Sequence, residues 1–256
     1  MLWGYNQTHK VAPAEELSIV DYGDIDIVPV DIKASMQAIT GEIKAILEAG
    51  PTVVALGGDH SVSLPLLRAH ARKYGPLAVI HFDSHPDTWD FEYPGHPYSH
   101  ATPFRRAIEE GLIDTQAYIQ AGIRGSTSGP DDLVHARQLG ARLISMEAAF
   151  HMGIEALIET IRDTVSDRPA YISLDIDALD PAFAPGTGTP EVGGFSSFQM
   201  LQILRGLRGL NLVGFDLVEV CPAYDPSEIT SILAANLVFE YLSLLALKKT
   251  DEVLNK

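Results

Sequence analysis

The chain has 256 residues and a mass of 27.8 kDa, enough for one large α/β domain or two small ones. Its 34 acidic residues against 18 basic ones give a formal charge of −16, which disfavours nucleic acid and anionic lipid and suits a cationic partner, although acidity of this size also serves solubility alone. A lone cysteine, Cys221, rules out an internal disulfide. The first residues lack the basic and apolar regions of a signal peptide, and no apolar run reads as approaching the roughly 18 residues of a membrane span, so the expectation is a soluble cytoplasmic protein with no membrane partner.

Short β-branched or apolar runs alternate with longer amphipathic stretches. In chain order the expected strands are 18–22, 52–56, 77–82, 117–121, 142–145, 170–174 and 212–217. Helices are expected where Met36, Ile39, Ile43, Ile46 and Leu47 recur at helical spacing before Gly50-Pro51, and over 61–74, 131–139, 154–165, 197–207 and 227–247. Several strands are almost continuously apolar, as strands buried on both faces are. This alternation predicts a three-layer α/β/α fold with a mostly parallel central sheet. No linker, repeat or low-complexity segment interrupts it, so residues 1–256 read as a single domain.

In open parallel sheets, sites form beyond the carboxyl ends of the strands. Gly57-Gly58-Asp59-His60-Ser61 follows the second expected strand, and Asp83-Ser84-His85-Pro86-Asp87 the third. Asp175-Ile176-Asp177-Ala178-Leu179-Asp180-Pro181 follows the sixth, and Glu219 and Pro222 come just after the seventh. In extended backbone, Asp83, His85 and Asp87 would share one face, as would Asp175 and Asp177. Each motif alone also reads as a turn or a cap. Taken together they crowd carboxylates at one edge, where burial without compensation is very costly and no Lys or Arg stands by. Two divalent ions would cancel four carboxylates, and such ions lower the pKa of bound water enough to supply hydroxide near neutral pH. His81 reads as a satisfied core residue, and His70, His135 and His151 as surface or structural ones.

Three segments resemble the ureohydrolase (arginase and agmatinase) signatures: 57–61, 81–88 and 173–181, the last extended by 184–190. Residues 218–222 resemble the family's fourth block, and the texture around Pro222-Ala223-Tyr224-Asp225 is closest to agmatinases. The resemblance implies the arginase–deacetylase type of fold and a binuclear manganese site, with nickel, cobalt or zinc as alternatives. It implies one ion held by His60, Asp83, Asp87 and Asp175 and another by His85, Asp83, Asp175 and Asp177. It further implies that Glu219 receives the guanidinium of a small cationic substrate, that His100 shuttles a proton to the leaving amine, with His96 as a rival, that Asp87 has a catalytic part, and that Asp180 helps bind substrate. The implied reaction is hydrolysis of agmatine to putrescine and urea by a homo-oligomer, a trimer or hexamer. Segment 92–98, which precedes His100, contains no Asn and no basic residue, so a substrate lacking an α-carboxylate is expected. Guanidinobutyrate, alkylguanidines and arginine are the alternatives, as is a non-catalytic family member. A phosphoesterase would need basic groups in the motif segments, which have none. The resemblance also implies a family strand and loop upstream of this chain's first residue, with that strand lying between the counterparts of 18–22 and 52–56. On that reading both neighbours lose a pairing partner and the chain is poorly stable.

Overall fold

Six of the expected strands form one sheet in a computed structural model that describes residues 4–254. They are β1 (Val53–Leu56), β2 (Leu77–Phe82), β3 (Ile113–Ile123), β4 (Arg142–Ser145), β5 (Ala170–Asp175) and β6 (Leu212–Val218). The sheet order is β1-β6-β5-β2-β3-β4, and every pairing is parallel. All carboxyl ends therefore lie along one edge of the sheet.

Helices cover both faces. α2 (Ile32–Glu48), α3 (Ser63–Tyr74) and α4 (Pro103–Glu109) bury Met36, Ile43, Leu64, Leu67 and Phe104 against Leu77, Val79, Tyr118 and Tyr171. On the other face α7 (Ile154–Val165), α8 (Ser197–Gly206) and α9 (Ile229–Leu254) bury Leu157, Ile203, Leu237 and Tyr241 against Ile80, Phe82, Ile172 and Phe215. Alternation along each strand decides which face a side chain serves. α2 starts where Asp31 accepts from the backbone N–H of Lys33 and Ala34, and α8 at a capping box of Ser196 and Gln199. Three shorter helices, α1 (Pro13–Glu16), α5 (Asp132–Gln138) and α6 (Met146–Met152), complete the set; α1, α4 and α6 were not expected from the periodicity.

Segment 18–22 is not a strand. It runs as irregular chain with Val20 77% exposed, because β-branched composition makes no ladder without a neighbour to pair with. β1 ends the sheet, and its outer side pairs with no strand among the described residues. A second correction concerns apolar length. The segment Pro226–Asp251, most of it α9, is long and apolar enough to cross a membrane by length and composition alone. Here α9 packs its apolar face on the sheet, burying Leu237, Tyr241 and Leu244, and also Glu240, which pairs with Arg205 at 2.6 Å.

Candidate metal centre

Four adjacent strands, β1, β6, β5 and β2, deliver the motif residues to one place. His60 opens a 3-10 turn, His60–Val62, in which the Asp59 side chain accepts from the Ser61 backbone N–H. Asp83–Asp87 is coil rather than extended strand, with Asp87 at φ +46°. Asp175 ends β5, and Asp177 lies in the 3-10 turn Ile176–Ala178. The alternation argument is thus wrong about the backbone: turns converge these side chains, not a shared strand face.

Three carboxylates are each held at one oxygen by a backbone N–H and present the other. Asp83 Oδ1 accepts from His85 N–H at 2.6 Å, Asp175 Oδ1 from Asp177 N–H at 2.8 Å, and Asp177 Oδ1 from Ser84 N–H at 3.0 Å. The second oxygens gather around two imidazoles. His60 Nδ1 lies 3.1, 3.0 and 3.2 Å from oxygens of Asp83, Asp87 and Asp175. His85 Nδ1 lies 3.1 Å from Asp177 Oδ2 and 3.6 Å from Asp83 Oδ1. Asp83 lies beside both rings, one oxygen toward each.

All four carboxylates are buried. Burial, then the charge of Asp83, pushes Asp87 up to about 7, and burial with the charges of Asp177 and Asp83 holds Asp175 well above the usual range. Burial also works against charged imidazoles, yet the Asp177 and Asp83 carboxylates outweigh it and raise His85 to about 11. The cluster collects positive charge. A buried histidine nitrogen facing three carboxylate oxygens, and Asp177 Oδ2, have no hydrogen-bond partner. One imidazole nitrogen with several carboxylate oxygens at each focus fits a hard or borderline divalent ion. His60, Asp83, Asp87 and Asp175 would hold one, and His85, Asp83 and Asp177 a second.

Glu219 and His100 stand beside the cluster. Glu219 follows β6 at φ +65°, a conformation uncommon for a side chain of this size, and its Oε1 accepts from the His60 backbone N–H at 2.8 Å. His100 Nδ1 is 3.6 Å from Glu219 Oε1 and its Nε2 is 3.3 Å from Glu92 Oε1. The Glu219 carboxylate is the main cause that raises His100 to about 9, against burial. His96 is exposed in the turn closed by Tyr93 and does not reach the cluster. Asp180 does not reach it either. Its carboxylate accepts from the amides of Ala182, Gly193 and Gly194 and so orders the loop after β5. A cleft of about 510 Å³ beside the centre is lined by Pro86, Thr88, Trp89, Phe91, Arg105 and His135, and by none of the cluster residues.

Several residues with a part here carried no motif. Arg124, directly after β3, donates to the carbonyls of Asp177, Leu179 and Glu191 and clamps the β5 turn. His81 is buried as expected, but its Nε2 lies 2.7 Å from Asp83 Oδ2, so it orients that carboxylate. Of the three histidines expected to be surface or structural, His70 is fully buried and His135 and His151 are exposed.

With this geometry in place, comparison with known proteins identifies the lineage. The sequence profile described as "Arginase family" matches residues 2–243. A guanidinopropionase of Pseudomonas aeruginosa is 48% identical over 237 residues, which cover 93% of this chain and 74% of that protein. A mitochondrial agmatinase of Gallus gallus is 42% identical, covering 98% of this chain and 73% of its own length. The solved structure of the proclavaminate amidino hydrolase of Streptomyces clavuligerus superposes with a TM-score of 0.92 at 41% identity, covering 96% of this chain and 81% of that one. The expected fold type holds, and the chain belongs to the arginase family as a hydrolase of the ureohydrolase kind.

Proposed function

We propose that the protein is a two-metal ureohydrolase that cleaves the guanidinium of agmatine to give putrescine and urea. The observation that carries this reading is the convergence of His60, His85 and four buried carboxylates on two foci with Glu219 and His100 at their side. Manganese suits the oxygen-rich donor set, and nickel, cobalt or zinc are the alternatives. When bound, the ions supply hydroxide near neutral pH and Lewis acidity toward a charge-bearing carbon centre.

The side chains supply the rest. Glu219 is fixed at Oε1 by the His60 amide, and its carboxylate accepts guanidinium N–H groups, a charge-assisted pairing that orients the planar cation over the cluster. His100, raised to about 9, carries its proton at neutral pH and gives it to the amine as the C–N bond breaks. Asp87 acts in holding an ion rather than in moving a proton. An ionised Asp180 serves the loop, and no substrate part is assigned to it.

The distal end of the substrate faces an acidic mouth. Glu92 touches His100 on the side away from Glu219, and no Lys or Arg pairs with it among the described residues. Arg105 and Arg106, the arginines nearest in sequence, are occupied by Asp90 and Glu109. That environment supports an amine rather than a carboxylate at the distal end. A guanidino acid is the second reading, favoured by the 48% identity to a guanidinopropionase. A trimer or hexamer is part of the proposal, and a native mass measurement checks it.

The deciding experiment is a urea-release screen of the manganese- and nickel-loaded protein over agmatine, arginine, guanidinobutyrate and guanidinopropionate. Agmatine should have the highest kcat/KM. A preference for a guanidino acid replaces the substrate and keeps the reaction, whereas no urea from any guanidine removes the reaction itself.

A further inference from the structure

Beneath the cluster, four buried polar residues on four neighbouring strands stand in register. Asp216 of β6 is paired with Ser173 of β5, Ser173 with His81 of β2, and His81 with Gln120 of β3. All four are fully buried. A continuous polar row through an otherwise apolar sheet is expensive unless every member is satisfied. Its hydrogen bonds can be followed from end to end, with Gln120 Oε1 alone in the row left without a partner.

At one end Asp216 accepts from the Tyr171 hydroxyl at Oδ2 and from the Ser173 hydroxyl at Oδ1, both at 2.7 Å. With its hydrogen given to Asp216, Ser173 Oγ can only accept from His60 Nε2, which lies 2.9 Å away. That places a hydrogen on His60 Nε2 and turns Nδ1 toward the oxygens of Asp83, Asp87 and Asp175. Three carboxylates around Nδ1 favour positive charge there, either a proton or a metal ion.

The other end works the same way. Gln120 Nε2 donates to the Pro86 carbonyl at 2.6 Å and lies 3.1 Å from His81 Nδ1, with the Tyr118 hydroxyl at 3.3 Å from that same nitrogen. The second Gln120 Nε2 hydrogen goes to the Tyr118 hydroxyl at 2.8 Å, and that hydroxyl then donates to His81 Nδ1, so the ring hydrogen is on Nε2 and points at Asp83 Oδ2. Through Pro86, Gln120 also pins the backbone next to Asp87.

We infer that the row Asp216–Ser173–His81–Gln120 is a built platform that sets which nitrogen His60 presents and how Asp83 and Asp87 are turned, and so governs metal affinity. Its members are positioning residues, touching neither substrate nor reacting atoms. The inference rests on the metal reading of the cluster.

The test uses Ser173→Ala at one end and Gln120→Met at the other, with manganese affinity measured by calorimetry on metal-stripped protein. Both variants should bind manganese about 10–100-fold more weakly, the usual effect of losing such an outer partner. At saturating manganese the KM for agmatine should stay at the parent value while kcat recovers, a split that general loss of structure would not give. Thermal melts of the metal-free proteins identify any variant that is unfolded, and the remaining one decides. Manganese affinity within twofold of the parent in a folded variant overturns the platform alone. A parent that takes up no manganese overturns the metal reading and the platform with it.

Discussion

Glu219 is where charge and shape can be separated. Glu219→Gln keeps the side-chain size and the contact with the His60 amide but removes the anion proposed to receive the guanidinium. We expect kcat/KM to fall about 100-fold or more with metal content unchanged; activity within a few-fold of the parent would take Glu219 out of the reaction. Glu92→Gln tests the mouth: kcat/KM for agmatine should drop about tenfold relative to that for guanidinobutyrate, and an unchanged ratio would mean that Glu92 does not sense the distal group. Away from the site, burial pushes His70 down to about 4. Between pH 6.5 and 4 the unfolded chain therefore binds a proton that the folded one refuses, so stability falls as pH falls through that window, by up to about 3 kcal/mol. His70→Gln should flatten this decline in chemical denaturation, and an unaltered slope would contradict it. The six cluster residues were legible because each motif packs its polar groups within a few positions after an apolar run. His81, Ser173, Gln120 and Asp216 were not, because each stands alone in its own strand and gains meaning only from register with the next.

At the scale of elements, continuous apolar runs gave β2, β5 and β6 almost to the residue. The failure at 18–22 has a physical reason: β-branched composition reports what a strand tolerates, not whether a partner exists beside it. α4 was hidden because its sequence, Pro103–Glu109, carries no long apolar repeat and is fixed by packing Phe104 against His81 and Tyr118. β6 offers a test of close packing. A Cβ on Gly214 would stand 2.5 Å from His70 Nε2 and 2.6 Å from the Tyr171 ring, both fully buried. Gly214→Ala should cost about 1–3 kcal/mol by overpacking, read as a lower denaturation midpoint with the same slope. A midpoint equal to the parent's would show that the helix α3 yields at little cost.

For the whole molecule, the net charge of −16 and the buried carboxylates act in the same direction. Crowded anions at the carboxyl edge of the sheet repel one another, and positive charge at their two foci joins β1, β2 and β5 through their following turns. Folding and metal uptake are therefore coupled in this account, since an ion that binds only the native arrangement stabilises it. The imidazoles of His60 and His85 mark two foci, so the number of ions is the quantity on which the account stands. The most direct measurement is elemental analysis of manganese-reconstituted, folded protein after removal of free metal. The account predicts two manganese ions per chain; one ion or none would contradict it.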